Sequence, residues 1–418
     1  MTTPTPTMRT WFFTEDCYPD LPPQDEWDSI RVELPNRLCE PENAHRLYNE
    51  YLDIWCAADE MGLDIMVNEH HQTATCMVPA APIMLGILAR QTKNARLLIL
   101  GNPLPNRNQP VRVAEEMALI DVISKGRLEC GFVRSVPYEA AAANILPYKG
   151  SERLWESHDL IMKAWTTHDG PFNFEGKYYH HRQVNIWPRP YQQPHPPVWI
   201  TTGGPGSTEP VAMHGHVAAI FLAGYSRVRP LFDAYRANYL KHHGTHAPLD
   251  RLAYCGLVYV GDDERAAEKG ANELMWYMQA NKVSEPWKNP PGYHPPQVAA
   301  GIMRGAHISG SGAAYSTDLK EHMRRGNVFA GTPDQVYEQI KAFWEYSGGF
   351  GHMLMMGQAG HQTKDDTLHS MKLYTEEVYP RLRELAATWD PEEIMEKRKS
   401  MPDQEHAEIT DLSVDFVR

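Results

Sequence analysis

Two spacings of apolar residues alternate along the chain. "RTWFF" at 9–13 is an apolar run of strand length, and Leu47, Tyr51, Trp55, Ala58 and Met61 then recur at helical intervals, with Gly62 placed to end the helix. The pattern repeats: "LDIMVNEHH" reads as a second strand and "APIMLGILARQT" as a helix. "ARLLILGNPLP" follows as a third strand, then a helix with Val113, Met117, Ile120 and Ile123 on one face and Gly126 behind it, then "RLECGFV" as a fourth strand. Ser151 is placed to cap a helix whose Leu154, His158, Ile161 and Trp165 share a face. The proline-rich "NIWPRPYQQPHPPVWI" cannot be helical, because proline removes amide donors and fixes φ, and its end leads into the strand of "PVWITTGG". "VAAIFL", "LAYCGLVYVG" and "HMLMM" are further strands.

From about residue 277 to 328 the pattern lapses, and that stretch reads as a long insertion, of the kind that serves as a lid. After it Thr332, Pro333 and Gln335 give a helix start with a capping box. Repeated strand–helix units with short links imply a parallel sheet. About eight such units with a late insertion fit a (β/α)8 TIM barrel over residues 1–384. The charged, helical stretch 385–418 reads as a C-terminal helical extension. An open dinucleotide-binding sheet is disfavoured, since the first strand–helix junction, "FFTEDCYPDLPP", holds no glycine; a G-x-x-x-x-G-K-[ST] phosphate loop is also absent.

The net charge of −13 argues against a nucleic-acid partner and against acidic membranes. The six cysteines, at 17, 39, 56, 76, 130 and 255, form no C-x-x-C pair and read as free thiols of a reducing compartment. With no signal-peptide layout and no apolar run near the roughly 20 residues that span a bilayer, a cytoplasmic protein is expected.

In a barrel the active site lies where strands end, and several polar groups follow strands here: Glu69–His70–His71, Gly101–Asn102, Arg134–Ser135 and Thr202–Gly203–Gly204. His70 and His71 are neighbours on an extended chain and point to opposite faces, so a shared metal is disfavoured and no metal site is expected. His70 is either a hydrogen-bonded strand-end histidine or a general acid/base. Gly203, Gly204 and Gly206 would leave backbone amides open at a helix start, with Ser207 and Thr208 offering hydroxyls; this suits an anion, or is a plain turn. Arg134 and Arg153 strengthen the anion reading, because arginine pairs bidentately with phosphate and Arg153 falls at a helix start, where a cation is disfavoured. The ordinary alternative for Arg153 is a surface salt bridge to Glu152 or Glu156. Trp11, Phe13 and Tyr138 either line an apolar pocket or pack in the core.

Taken together, "EHH", "LGNPLPNRNQPVRVAEEMALIDVISKGR", "GFVRS", "SERLWES", the glycine turn after the fifth strand and "GTPDQV" resemble the bacterial-luciferase-like flavin-dependent monooxygenases, in the same order, from about residue 9 to 380. The resemblance implies a (β/α)8 barrel that takes reduced FMN from a separate flavin reductase and reacts it with dioxygen, the peroxyflavin so formed oxygenating a small organic substrate. In one branch a deazaflavin replaces FMN and hydride moves without dioxygen. His70 matches the catalytic histidine. Arg134 and Arg153 match phosphate-binding arginines, with Gly203, Gly204 and Ser207 as further phosphate contacts. Glu69, Asn102, Ser135 and Tyr138 are expected in the same cofactor site, Asn102 beside a turn that often holds a non-prolyl cis peptide. A homodimer is expected. Val133 replaces the reactive cysteine of luciferase, Ser135 a common glycine and Gly203 an acid, which argues against light emission from a long-chain aldehyde.

Overall fold

The computed structural model describes residues 7–288, 290, 292–303 and 318–401. Its strands are β1 (Arg9–Thr14), β2 (Asp64–Val67), β3 (Leu97–Pro103), β4 (Leu128–Val133), β5 (Phe172–Glu175), β6 (His180–Val184), β7 (Val198–Thr201), β8 (Val217–Phe221), β9 (Leu252–Val260), β10 (Val328–Gly331) and β11 (His352–Gln358). Eight of them close a parallel barrel in the order β1–β2–β3–β4–β7–β8–β9–β11 and back to β1. β9 is long enough to serve two partners in succession: Leu252–Cys255 pair with β8, and Leu257–Val260 pair with β10. β5 and β6 form an antiparallel hairpin outside the barrel.

The helices are α1 (Pro41–Glu60), α2 (Ala81–Gln91), α3 (Pro110–Ile123), α4 (Pro137–Ala142), α5 (Gly150–Thr166), α6 (Thr208–Met213), α7 (Gly224–His243), α8 (Glu264–Leu274), α9 (Trp276–Ala280), α10 (Glu285–Lys288), α11 (Pro296–Met303), α12 (Leu319–Arg325), α13 (Pro333–Ser347), α14 (Lys364–Leu373), α15 (Tyr379–Ala387) and α16 (Pro391–Lys399). Among the described residues none is long and apolar enough to cross a membrane. The expected TIM barrel is thus present. The helix start expected after Gly206 is α6, whereas sequence patterning missed α7, α8, the β5–β6 hairpin and β10. α7 carries an internal proline, Pro230, and β10 is only a turn-length run before a capping box. The box itself is formed, Thr332 N–H donating to Gln335 Oε1 at 3.0 Å.

Ser151 does not cap α5: the helix starts at Gly150 out of a 3-10 turn, and Lys149 at the cap position makes no side-chain bond. The stretch 277–328 is not irregular where it is described, since α10, α11 and α12 fall within it; residues 304–317, with the "SGSG" run, lie outside the described residues. At the C-terminus, α16 docks across α7 and α13. Arg398 binds Asp233 at 2.8 and 2.9 Å, and Lys397 lies 2.8 Å from Glu345.

One apolar core separates the barrel from its helices and a second fills the barrel. The floor of the second, at the N-terminal strand ends, places Trp11 edge-on to Trp199, with its indole N–H donating to His352 Nδ1 at 3.1 Å. Trp11 is therefore floor packing, not pocket lining, and Phe13 sits higher, edge-on to Phe221. Gly131 of β4 is needed for close packing: a Cβ there would stand 2.4 Å from the Ile99 carbonyl oxygen and 2.4 Å from Leu100 Cδ1. Backbone cannot yield as a side chain can. Gly131→Ala is therefore expected to cost about 3 kcal/mol, read as a lowered urea midpoint at unchanged slope.

Candidate active site

The C-terminal strand ends collect most of the residues picked from sequence. β2 stops at Val67, and the following loop sends its two histidines to different carboxylates. His70 Nδ1 lies 2.7 Å from Glu139 Oε1, and His71 Nε2 lies 3.0 Å from Glu69 Oε1. Because a carboxylate accepts, His70 donates from Nδ1. Its Nε2 has no hydrogen bond among the described residues, and the side chain is 24% exposed. Glu139, on α4, is buried and also accepts from the His71 amide at 3.2 Å. Burial pushes the Glu139 carboxyl up, but His70, the His71 amide and Arg31 outweigh it and hold the group below the ordinary glutamate range. Glu139 therefore lends stability above the ordinary value of 4.5 and loses it as the pH falls through its lower native value. Glu139→Gln is expected to destabilise fully at neutral pH, with the deficit shrinking as the pH falls below 4.5 and gone only once it has passed the lower native value, read in urea midpoints measured across pH.

Glu69 is buried with its carboxylate committed: Oε1 takes His71 and Arg107, and Oε2 takes the Ala81 amide at 3.1 Å. It fastens the β2–α2 loop and acts on the site through Arg107. That arginine also donates to Asn102 Oδ1 at 3.3 Å, while the buried Asn102 Nδ2 has no hydrogen-bond partner among the described residues. The Leu100–Gly101 peptide before it is cis, at the turn where the resemblance places one.

Ser135 follows β4 with φ 75° and donates to Glu139 Oε2 at 3.3 Å while accepting from Asn106 Nδ2 at 2.9 Å, so it joins β3, β4 and α4. Tyr138 is buried, its hydroxyl accepting from Arg31 Nε at 3.1 Å. Arg31 in turn donates to Thr75 Oγ1 at 3.0 Å.

Beside this network lies a cleft lined by Pro105, Arg134, Ser135, Pro137, Ile145 and Gly150. Arg134 has no hydrogen-bond or carboxylate partner among the described residues, and desolvation alone lowers its pKa. Gly150 opens α5 so close that a Cβ there would lie 3.0 Å from Arg134 Cγ. The first turn of α5 has no side-chain cap. Arg153 does not make the ordinary salt bridge. Glu152 is taken by Lys177 and Glu156 by the Lys177–Tyr179 amides, and Arg153 donates Nε to the Pro105 carbonyl at 2.9 Å under the Tyr178 and Tyr179 rings. Two cations without anions at an uncapped helix start suit a bound phosphate.

The β7 turn is the neighbouring strand end, through the register Phe132↔Ile200. Nothing lies within 4 Å of where a Cβ would stand at Gly203 or Gly204, so that face is open. The Ser207 hydroxyl is spent on its own turn, donating to the Gly204 carbonyl at 2.6 Å. Thr202 Oγ1 is buried and has no hydrogen-bond partner among the described residues. No hydrogen bond joins this turn to Arg134 among the described residues.

Sequence reasoning missed Glu139, Arg107, Arg31 and Arg227, whose Nη2 reaches the Gly203 carbonyl. It also missed the buried pair Glu15–Asn68, bonded at 2.7 Å where β1 and β2 end; the rule that strand ends carry the site would have found that pair. The late insertion packs on α4 through Tyr293, whose hydroxyl lies 3.4 Å from the Ala140 and Ala141 carbonyls, and neither ring nitrogen of His294 has a hydrogen-bond partner among the described residues.

Residues 34–349 match the family model described as luciferase-like monooxygenase. The chain is 27% identical over 315 residues to the oxygenase component of the flavin-dependent trigonelline monooxygenase of Acinetobacter baylyi, which covers 73% of this chain and 83% of that one. Its fold superposes on the oxygenating constituent of 3,6-diketocamphane monooxygenase from Pseudomonas putida, solved with FMN (TM-score 0.66, 18% identity, 90% of this chain and 98% of that one). It also superposes on an F420-dependent secondary alcohol dehydrogenase (TM-score 0.63, 16% identity, 90% and 99%).

Proposed function

This chain belongs to the luciferase-like monooxygenase family, and from that premise we propose that it is the oxygenase of a two-component system, taking reduced FMN from a separate flavin reductase and using dioxygen to oxygenate a small organic substrate. The observation that carries the reading is the pair Arg134 and Arg153, without carboxylate partners among the described residues, at the uncapped start of α5. That end suits one terminal phosphate. The unpartnered Asn102 Nδ2 and Thr202 Oγ1 would meet polar atoms of a bound ring system, and the open Gly203–Gly204 face leaves it room. The relatives' FMN complex and oxygenase-component role support the same assignment.

Bound reduced flavin would supply the electrons that activate dioxygen. The chain's own groups orient and protect. Glu139 fixes the proton on His70 Nδ1 and leaves Nε2 to accept a proton or, in the charged ring, to donate one toward the reacting oxygen. Glu69 and Arg107 hold the floor of the loop that presents His70. Tyr293 draws the insertion over α4, which keeps water from that side.

A deazaflavin-dependent hydride transfer on the same barrel is the second reading, favoured by the F420-dependent neighbour. Its longer anionic tail would ask for a wider basic mouth, which the net charge of −13 does not favour. Anaerobic titration with reduced FMN and reduced F420 separates the two: tighter FMN binding is expected, and tighter F420 binding overturns the assignment.

The assembly is a homodimer in this reading. Ile83 and Ile87 on α2 and Leu119, Val122 and Ile123 on α3 are exposed apolar side chains on adjacent helices. Leu119→Glu is expected to convert a dimer to a monomer in sedimentation; wild type already monomeric removes the dimer.

A further inference from the structure

A second cluster lies in the helix layer, at the opposite end of the barrel wall from the cleft. His158 sits about 12 Å along α5 from Gly150, at 1.5 Å per residue. His214 ends α6, and His216 precedes β8. Their ring nitrogens lie within 4.8 Å of one another. His158 Nε2 and His216 Nε2 are 2.8 Å apart, and His158 Nδ1 is 3.0 Å from Asp159 Oδ1. The carboxylate takes the Nδ1 proton and so bares the Nε2 lone pair toward the other two rings. His214 makes no hydrogen bond through its ring among the described residues; it stacks on Trp155 at 5.7 Å and on His216 at 5.3 Å.

The backbone around the cluster is fixed. The His216 amide donates to the Val211 carbonyl at 3.0 Å, and its carbonyl accepts from the Tyr235 hydroxyl at 2.6 Å. His158 and His216 are buried while His214 is exposed, which opens a path for an ion from one side. Burial and the neighbouring imidazoles hold His214 and His216 below the ordinary histidine range.

We propose that His158, His214 and His216 bind a divalent late transition-metal ion, zinc by ligand chemistry, with water in the fourth position and Asp159 bonded behind His158. Three imidazoles suit zinc, copper or nickel rather than magnesium or calcium. Nitrogens on a tetrahedral zinc at about 2.0–2.1 Å stand roughly 3.3 Å apart. The His158–His216 pair therefore opens slightly, and the exposed His214 ring swings inward. The ion ties the middle of α5 to the α6–β8 turn and takes no part in the chemistry at the strand ends.

The test uses untagged full-length protein stripped with chelator. Elemental analysis after dialysis against Zn2+ gives stoichiometry, and the visible d–d bands of Co2+ report tetrahedral nitrogen ligation. One equivalent is expected in wild type and none in His214→Ala, an exposed site that leaves the fold intact. Asp159→Asn is expected to weaken binding about tenfold. His242→Gln and His246→Gln, on the surface, are expected to bind as wild type does. Absence of stoichiometric metal in wild type, or binding that survives His214→Ala, returns the cluster to a packing role.

Discussion

Replacing Arg134 by alanine is expected to weaken FMN binding about a hundredfold while riboflavin binding stays as in wild type. A charge-assisted hydrogen bond to an anion is worth roughly 1.5–3 kcal/mol, and among the described residues Arg134 has no partner to which its guanidinium is already committed. For the same reason its removal breaks no ion pair, so the thermal midpoint should hold. Arg134→Lys should recover part of the affinity, a point charge replacing a fork. Arg153→Ala is expected to act in the same direction less cleanly, because its Nε also ties α5 to the Pro105 carbonyl. Riboflavin, which lacks the phosphate, separates loss of an anion contact from general damage to the cleft. Equal losses for both flavins would move the phosphate away from Arg134.

His70→Ala is expected to lower turnover by about a hundredfold or more with FMN affinity unchanged. The basis is the geometry of the ring: Nδ1 is held by a buried carboxylate at 2.7 Å, and Nε2 is left for work. Glu139→Gln should lower turnover through the same ring, since the amide no longer holds the Nδ1 proton and ring orientation as the carboxylate does. Unchanged turnover in His70→Ala would leave the pair a mere strand-end clasp.

The barrel was legible because its apolar spacing switches with each element, and the site was legible as far as residues follow strands. Arg134 comes directly after β4, His70 stands in the loop after β2, and Asn102 lies in the last residues of β3 rather than beyond it. What sequence could not supply were contacts closed by the fold: Glu139 reaches His70 from 69 residues away, and Arg107 reaches Glu69 from 38. Those partners decide roles. They turn Glu69 into a fastener of the loop and Tyr138 into a support for Arg31. Ser151 looked like a cap by residue type, yet the 3-10 turn at Pro147–Lys149 moved the helix start ahead of it. His158 and His216, 58 residues apart, meet only in the fold, at 2.8 Å between their Nε2 atoms.

The central claim, oxygen chemistry on FMN delivered from outside, is tested most directly by rapid mixing. Protein loaded anaerobically with reduced FMN is mixed with oxygenated buffer, and flavin absorbance is followed. The account predicts reoxidation in two resolved phases, through a spectrum belonging to neither reduced nor oxidised FMN, with protein-free FMN giving one phase. A single phase at the rate of free flavin, together with tight binding of reduced F420, would contradict it.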